Sequence, residues 1–402
     1  MILYSELQRC AQMIVATLAI FGLPSGALAD PTTFDVTLSL ASEDTFQSPD
    51  LRRATLATTG SVEDIRYGFS LTANPTQLTF DHSFIEWRNG PLTFGIGAID
   101  RHWGPSQYSS LILSDNARPV PSLYIAYDAP EGLSLPALKY LGPLSLETFH
   151  GQLEADRPIA NTKLFGAQLT FEPANNLTIS LVRTAQWGGE GYDNSFSAFL
   201  RMLAGQEDVG DEPNQLAGYS VSYMFTSGLR GYFQAIGEDE ASSLPTCYSR
   251  MAGIEGPSRL FGYPTLLTLE AVDTTIERTT SGNCGPNTAY RNSHYPGGYT
   301  HYGRVMGVPI DTEGQSLTLY GQSDLSDIDV EWQVGYADVN REALPTHRLS
   351  SHRERAGFAA LAISRHFGET SVTGSLRYQG LDLNKAYGNK GISFGLTLSH
   401  RF

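Results

Sequence analysis

The sequence predicts an all-β protein, specifically a transmembrane antiparallel outer-membrane β-barrel of about 18 strands with long extracellular loops. Three observations predict it. Apolar residues recur at every second position along most of the chain, as in Tyr67, Phe69, Leu71 and Phe165, Ala167, Leu169, Phe171, and period two sorts side chains onto opposite faces of a strand. The composition combines 20 Tyr, 19 Phe and 40 Gly with only 17% charged residues, which favours strands punctuated by turns. The final run, GISFGLTLSHRF (391–402), alternates to its last residue and ends on the aromatic Phe402.

From the N-terminus, Arg9 precedes the apolar run MIVATLAIFGL, and Ala27-Leu28-Ala29 follows. This reads as a signal peptide over 1–29, cut before Asp30, with the barrel over 30–402. The apolar run is too short to span a bilayer comfortably. No second long apolar run follows, and the mean hydropathy is −0.20, which excludes transmembrane helices. Counting back from Phe402 places strands near 34–41, 52–58, 62–71, 78–87, 92–99, 122–128, 144–152, 163–171, 176–183, 216–225, 229–237, 249–256, 264–272, 315–323, 328–340, 356–366, 370–379 and 391–402. The count is even, as single-chain bacterial barrels require. With the terminal strand ending in the periplasm, tight connections such as Phe367–Thr370 and Glu172–Asn176 fall on that side. The long segments 100–121, 184–215, 238–248, 273–314 and 341–355 fall outside. A longer periplasmic connection, Ala129 to Pro143, holds three prolines. A short helix is expected near Phe196–Leu203.

The loops carry RHWGPSQYSSLILSDNARP (Arg101–Pro119), RTAQWGGEGYDNS (Arg183–Ser195) and IGEDEASSLP (Ile236–Pro245). With LEADRPIANTKLFGAQLTF (Leu153–Phe171) and EPNQLAGY (Glu212–Tyr219), these motifs resemble the capsule assembly protein Wzi family of Gram-negative outer membranes, from roughly Phe80 to Val308. The resemblance implies an integral outer-membrane barrel of about 18 strands, its loops extracellular, that binds capsular or exported polysaccharide and helps attach it, a lectin and not an enzyme. The chain departs from the family pattern in that the strand-like FDVTLSLA (Phe34–Ala41) begins directly after the signal, where the known capsule protein has a helical N-terminal region. The terminal Phe402 resembles the signal read by the barrel assembly machinery, and its ring suits the interfacial aromatic girdle.

Polysaccharide-binding candidates are Arg101, Trp103, Arg118, Arg183, Trp187, Glu190, Glu238 and Asp239. Trp103 and Trp187 offer flat faces for a sugar ring, with barrel-rim packing as the alternative. Arg101, Arg118 and Arg183 offer planar donor forks for uronic acid carboxylates, or brace the loops. Glycines 188, 189 and 191 set a tight turn. The run Glu238, Asp239, Glu240 does not establish the carboxylate separation that glycoside hydrolysis needs, and it reads as a solvated or lumen-lining patch. Histidines 294, 301, 347 and 352 show no metal-site spacing and read as surface residues. No cofactor is implied. Cys10 leaves with the signal, so Cys247 and Cys284 are expected to pair as a disulfide between two external loops. The net charge of −15 without a basic patch excludes nucleic acid as partner; lipid and polysaccharide remain. A second function class is a diffusion porin or small-solute channel, distinguished by an open lumen.

Overall fold

The computed structural model describes residues 33–42, 45–47, 52–205, 212–241, 244–279 and 284–402; the expected signal segment lies outside them. In chain order the strands are β1 (Thr33–Ala41), β2 (Arg53–Val62), β3 (Ile65–Ala73), β4 (Leu78–Thr79), β5 (Phe84–Asn89), β6 (Leu92–Gly97), β7 (Ser122–Ala129), β8 (Leu144–Gln152) and β9 (Lys163–Ala174). They continue as β10 (Leu177–Trp187), β11 (Asn214–Met224), β12 (Arg230–Ala241), β13 (Leu244–Leu260), β14 (Tyr263–Asp273), β15 (Thr300–His301) and β16 (Arg304–Val305). The last are β17 (Gln315–Asp324), β18 (Ile328–Val339), β19 (Glu354–Phe367), β20 (Thr370–Gln379) and β21 (Gly391–Arg401). β15 and β16 form a hairpin apart from the main sheet, and β4 pairs with β3 as the start of the stave that β5 continues. The barrel therefore has 18 antiparallel staves, as expected.

Closure is made by β21 on β1, in register from Asp35 opposite Arg401 to Ala41 opposite Gly395. Phe402 N–H donates to Phe34 O at 2.8 Å. A sheet closed on itself has no edge, the condition for strands in lipid. The outer face carries what the alternation placed there: Ile392, Phe394, Leu396 and Leu398 are exposed, while Ser393, Gly395 and Thr397 turn inward. Exposed aromatics gather near the short turns, among them Trp87, Phe225, Phe261, Tyr263, Phe367 and Phe402, the position of an interfacial girdle. Inside, rings lie flat over glycines directly opposite on the next strand: Phe84 on Gly68, Tyr124 on Gly95, Phe149 on Gly166, Tyr232 on Gly253 and Phe358 on Gly335. A Cβ at any of these glycines would collide with the ring.

Two-residue turns such as Glu63-Asp64, Asn175-Asn176 and Gly368-Glu369 lie at one end, together with the longer connection that precedes β8 and carries a 3-10 turn over Leu138–Leu141. Helix α1 (Phe196–Leu203) forms where expected. Two external segments differ from expectation. The 238–248 segment is strand rather than loop, because β12 and β13 pair as far as Ala241 opposite Leu244. β10 continues through Trp187, so Arg183 and Trp187 belong to a stave.

Candidate functional site

The long-loop end of the barrel is filled by its own loops. Leu111 and Ile112 from the segment after β6, Tyr290, Tyr299 and Val308 from the segment after β14, and Leu349 after β18 are almost wholly buried. They join the inward-facing Leu164, Leu216, Met251 and Phe358 in one continuous core. Inward polar side chains of the wall fasten the plug. Gln234 accepts from Leu111 N–H at 2.8 Å and donates to Trp103 O at 2.8 Å, and Gln186 donates to Gly298 O at 3.1 Å. Such buried backbone groups need partners away from water, and the wall supplies them. Toward the short turns the lumen keeps a polar cavity of about 460 Å³, lined by Thr170, Ser180, Ser220, Ser222 and Arg230 among others.

The plug also holds buried charge. Asp311 is bound through both oxygens by Arg348, at 2.7 and 2.5 Å. Burial by itself would raise the Asp311 carboxyl, but the Arg348 guanidinium holds it below the ordinary carboxylate value. His301 Nδ1 lies 2.6 Å from Glu154 Oε2, with Arg157 Nη1 3.6 Å from the same oxygen. There too burial opposes ionisation of Glu154, and His301, a backbone hydrogen bond and Arg157 together outweigh it, leaving the carboxyl lowered. His301 and His347, expected at the surface, are only 2% and 3% exposed. His347 Nε2 sits 2.8 Å from Thr312 O, and burial lowers its pKa. His294 and His352 are less buried and pair with Glu212 and Glu354.

The sequence-derived binding residues separate into three places. Arg101 and Trp103 lie inside the plug. The Arg101 guanidinium packs 4.1 Å from the Phe149 ring centre and Nε donates to Glu147 at 2.7 Å. Trp103, 2% exposed, stands edge-on to Phe149 at 5.4 Å, so neither of its faces is open to a sugar. Glu238 is also buried here and accepts from Tyr290 N–H at 2.8 Å; the side chain of Asp239 lies outside the described residues. Arg183 and Trp187 sit on the outer wall instead. Leu181 of the same strand is exposed on the lipid side, so period two turns Arg183, Ala185 and Trp187 the same way. Helix α1 covers them: Trp187 is 6% exposed against Phe199 and Met202, with the Lys163 ammonium 4.5 Å from its ring centre. Arg183 donates to Met202 O and Leu203 O at 2.9 and 3.0 Å, a cation at the helix C-terminus. Ser195 opens that helix by accepting from Ala198 N–H at 3.2 Å. Glu190 is exposed in the turn after β10, where Gly188, Gly189 and Gly191 all adopt positive φ.

Arg118 alone of the arginine candidates reaches the rim. Its Nε and Nη2 donate to the two Asp81 oxygens at 2.7 and 2.9 Å, and its guanidinium lies 4.0 Å from the centre of the Tyr302 ring. Tyr302 lies outside the motifs that the sequence marks for binding. It sits at the tip of the β15–β16 hairpin with φ 48°, followed by Gly303 at φ 77°, and is 50% exposed. Beside it Arg304 donates to Asn116 O at 2.8 Å, and Tyr387 Oη donates to Gly303 O at 2.9 Å. The Tyr-Gly pair between short polar flanks is a two-residue hairpin turn; that is the signal that would have found it. Cys247 and Cys284 form a disulfide, which joins strand β13, rather than a loop, to the segment before β15. Phe402 is 72% exposed with its ring 5.9 Å from that of Phe34.

Residues 35–399 match the capsule assembly protein Wzi family. The chain belongs to that family. A Klebsiella pneumoniae relative, an uncharacterized 55.8 kDa protein in a cps region, is 31% identical over 179 residues, 43% of this chain. The matched stretch spans 35% of that relative's length. Escherichia coli Wzi, an outer-membrane protein involved in group 1 capsule assembly and a carbohydrate-binding β-barrel, superposes with TM-score 0.79 at 22% identity, over 92% of this chain and 84% of its own. Pseudomonas aeruginosa OccK2 shares the barrel more loosely, with TM-score 0.51, 12% identity, and coverage of 93% of this chain and 98% of its own. This member of the Wzi family is thus an integral outer-membrane barrel with its long-loop end outward.

Proposed function

We propose that this chain is a surface protein that binds capsular or exported polysaccharide, assists its attachment or assembly at the cell surface, and catalyses no reaction. The observation that carries the reading is the plug. Loops that follow β1, β6, β8, β14, β18 and β20 share one core with the inner wall, which argues against a diffusion path and leaves the loop-built outer face as the working surface. On that face the Tyr302 ring, backed by Arg118 and Asp81, gives a sugar ring an apolar platform beside charged hydrogen-bonding groups. Polymer binding by many modest contacts suits such a surface. The family and the carbohydrate-binding E. coli barrel support the same reading. Lipid surrounds the wall in this proposal, and the assembly machinery reads the terminal strand ending in Phe402.

Deleting the gene in its host and quantifying cell-attached against released polysaccharide tests it, with planar-bilayer conductance of the purified barrel alongside. Polymer shifting into the medium, from a barrel that carries no steady current, is the expected result. Unchanged retention with steady channel currents would establish the porin alternative instead.

A further inference from the structure

The lipid-facing wall of the barrel has a furrow. Across β12, β13, β14, β17 and β18 one outward row reads Phe233, Ala252, Ala271, Leu317 and Tyr336, each directly opposite the next. Two adjacent alanines between large side chains leave a concave space of about 470 Å³ on the outer surface. The next outward row toward the long loops is different in kind: Arg250, Asp273, Gln315, Asp338 and Arg355.

Within that row Arg250 and Arg355 balance Asp273 and Asp338; the flanking Arg353 and Arg341, with the exposed Glu342 beside them, leave one positive charge in excess at the Asp338 end. Asp338 alone answers Arg353 at 2.5 Å, Arg355 at 3.3 Å and Arg341 at 3.6 Å. Asp273 is occupied by neutral donors, Thr275 N–H and Oγ1 at 2.9 and 2.6 Å and Gln315 Nε2 at 2.8 Å. At the other end Arg250 is exposed, with no ion pair or side-chain hydrogen bond among the described residues. Arginines at both ends of a polar row, in a chain of net charge −15 and set just above an apolar furrow, are complementary to an amphiphile with an anionic head. The row's two cationic ends stand four strand spacings apart, roughly 19 Å between backbones, and extended arginines from both ends narrow that gap. One ligand with two separated anionic groups fits it better than a single-headed lipid.

We propose that the furrow binds one molecule of the phosphorylated glycolipid of the outer leaflet, independently of the polysaccharide reading. An acyl chain lies over Ala252 and Ala271, and phosphates meet Arg250 at one end and Arg353 with Arg355 at the other, as charge-assisted donors to phosphate oxygens. The site distinguishes this wall from the rest of the annulus, where lipid contact is unselective.

Native mass spectrometry of the protein extracted in mild detergent reads the retained lipid directly. The wild type is expected to keep one glycolipid. Retention should fall at least fivefold in the double variant Arg250→Gln with Arg355→Gln, and in Ala252→Trp, which fills the furrow. Ile125→Trp, outward on the distant strand β7, should behave as wild type. Heat-modifiable gel mobility checks folding, and if Ala252→Trp misfolds, the arginine variant decides, since it leaves the shape of the wall unchanged. Equal retention in all variants would overturn the proposal. So would equal retention of an anionic or zwitterionic phospholipid after exchange into bilayers of that lipid.

Discussion

The Arg118 guanidinium lies 4.0 Å from the centre of the Tyr302 ring while Asp81 grips it by both oxygens. A cation held in that way fixes the ring it supports, and the ring is half exposed at the outer rim. Tyr302→Ala is expected to weaken polysaccharide binding without changing thermal stability. A ring-face contact of ~1 kcal/mol corresponds to about fivefold in affinity. Calorimetric titration with polymer purified from the host reads this, and an unaltered affinity would sink the platform.

Trp103→Ala should behave in the opposite way. The indole is enclosed by the plug against Phe149, and truncating a buried large aromatic costs ~3–5 kcal/mol. The expected outcome is a lower unfolding temperature in detergent and faster proteolysis of the loops. If stability is retained and only binding drops, Trp103 is reached by ligand after all.

Acid should loosen the plug through Asp311. Its carboxyl is held below its ordinary value of 3.8, so the folded state binds the proton less readily than the unfolded chain. The stabilisation is therefore complete above about pH 4 and is lost as the pH falls through the lowered native value. Asp311→Asn should abolish that acid dependence and leave Arg348 buried without its counter-charge, a loss of ~3–5 kcal/mol. Loop protection by hydrogen exchange between pH 6 and pH 2.5 measures both effects.

Reducing the Cys247–Cys284 bond, which closes a sequence separation of 37 residues, releases chain entropy in the opened state. The loop-closure estimate is ~4 kcal/mol. Reductant should make the segment between β14 and β15 protease-sensitive while the barrel keeps its heat-modifiable mobility. Two free thiols in unreduced peptides would contradict the bond.

The barrel was legible because lipid imposes a strict rule, and Ile392 to Leu398 obey it: apolar out, small and polar in. The rule weakens at the outer rim, where both faces of a strand meet protein. Trp187 and Arg183 lie on an outward face that helix α1 covers, so their types gave no hint that the stave continued beneath them. Thr246 and Arg250, polar on the outward face, likewise break the alternation where β13 extends above the membrane. Loop composition was a poorer guide still. Trp103, His301 and His347 read as outward because they fall in external loops, yet the loops fold inward and bury them. The exposed aromatic that composition could not single out, Tyr302, owes its place to a turn geometry rather than to its residue type.

The rings resting on opposite glycines inside the barrel, Phe149 on Gly166 and Phe358 on Gly335 among them, tie positions that are far apart in sequence into shared histories. A larger residue at Gly166 is tolerable only after Phe149 has shrunk, and a shrunken Phe149 leaves Arg101 without the surface it packs on. Substitutions at these sites would therefore be inherited as pairs or triplets, and the interior of the barrel would diverge in jumps while its lipid-facing residues drift one at a time.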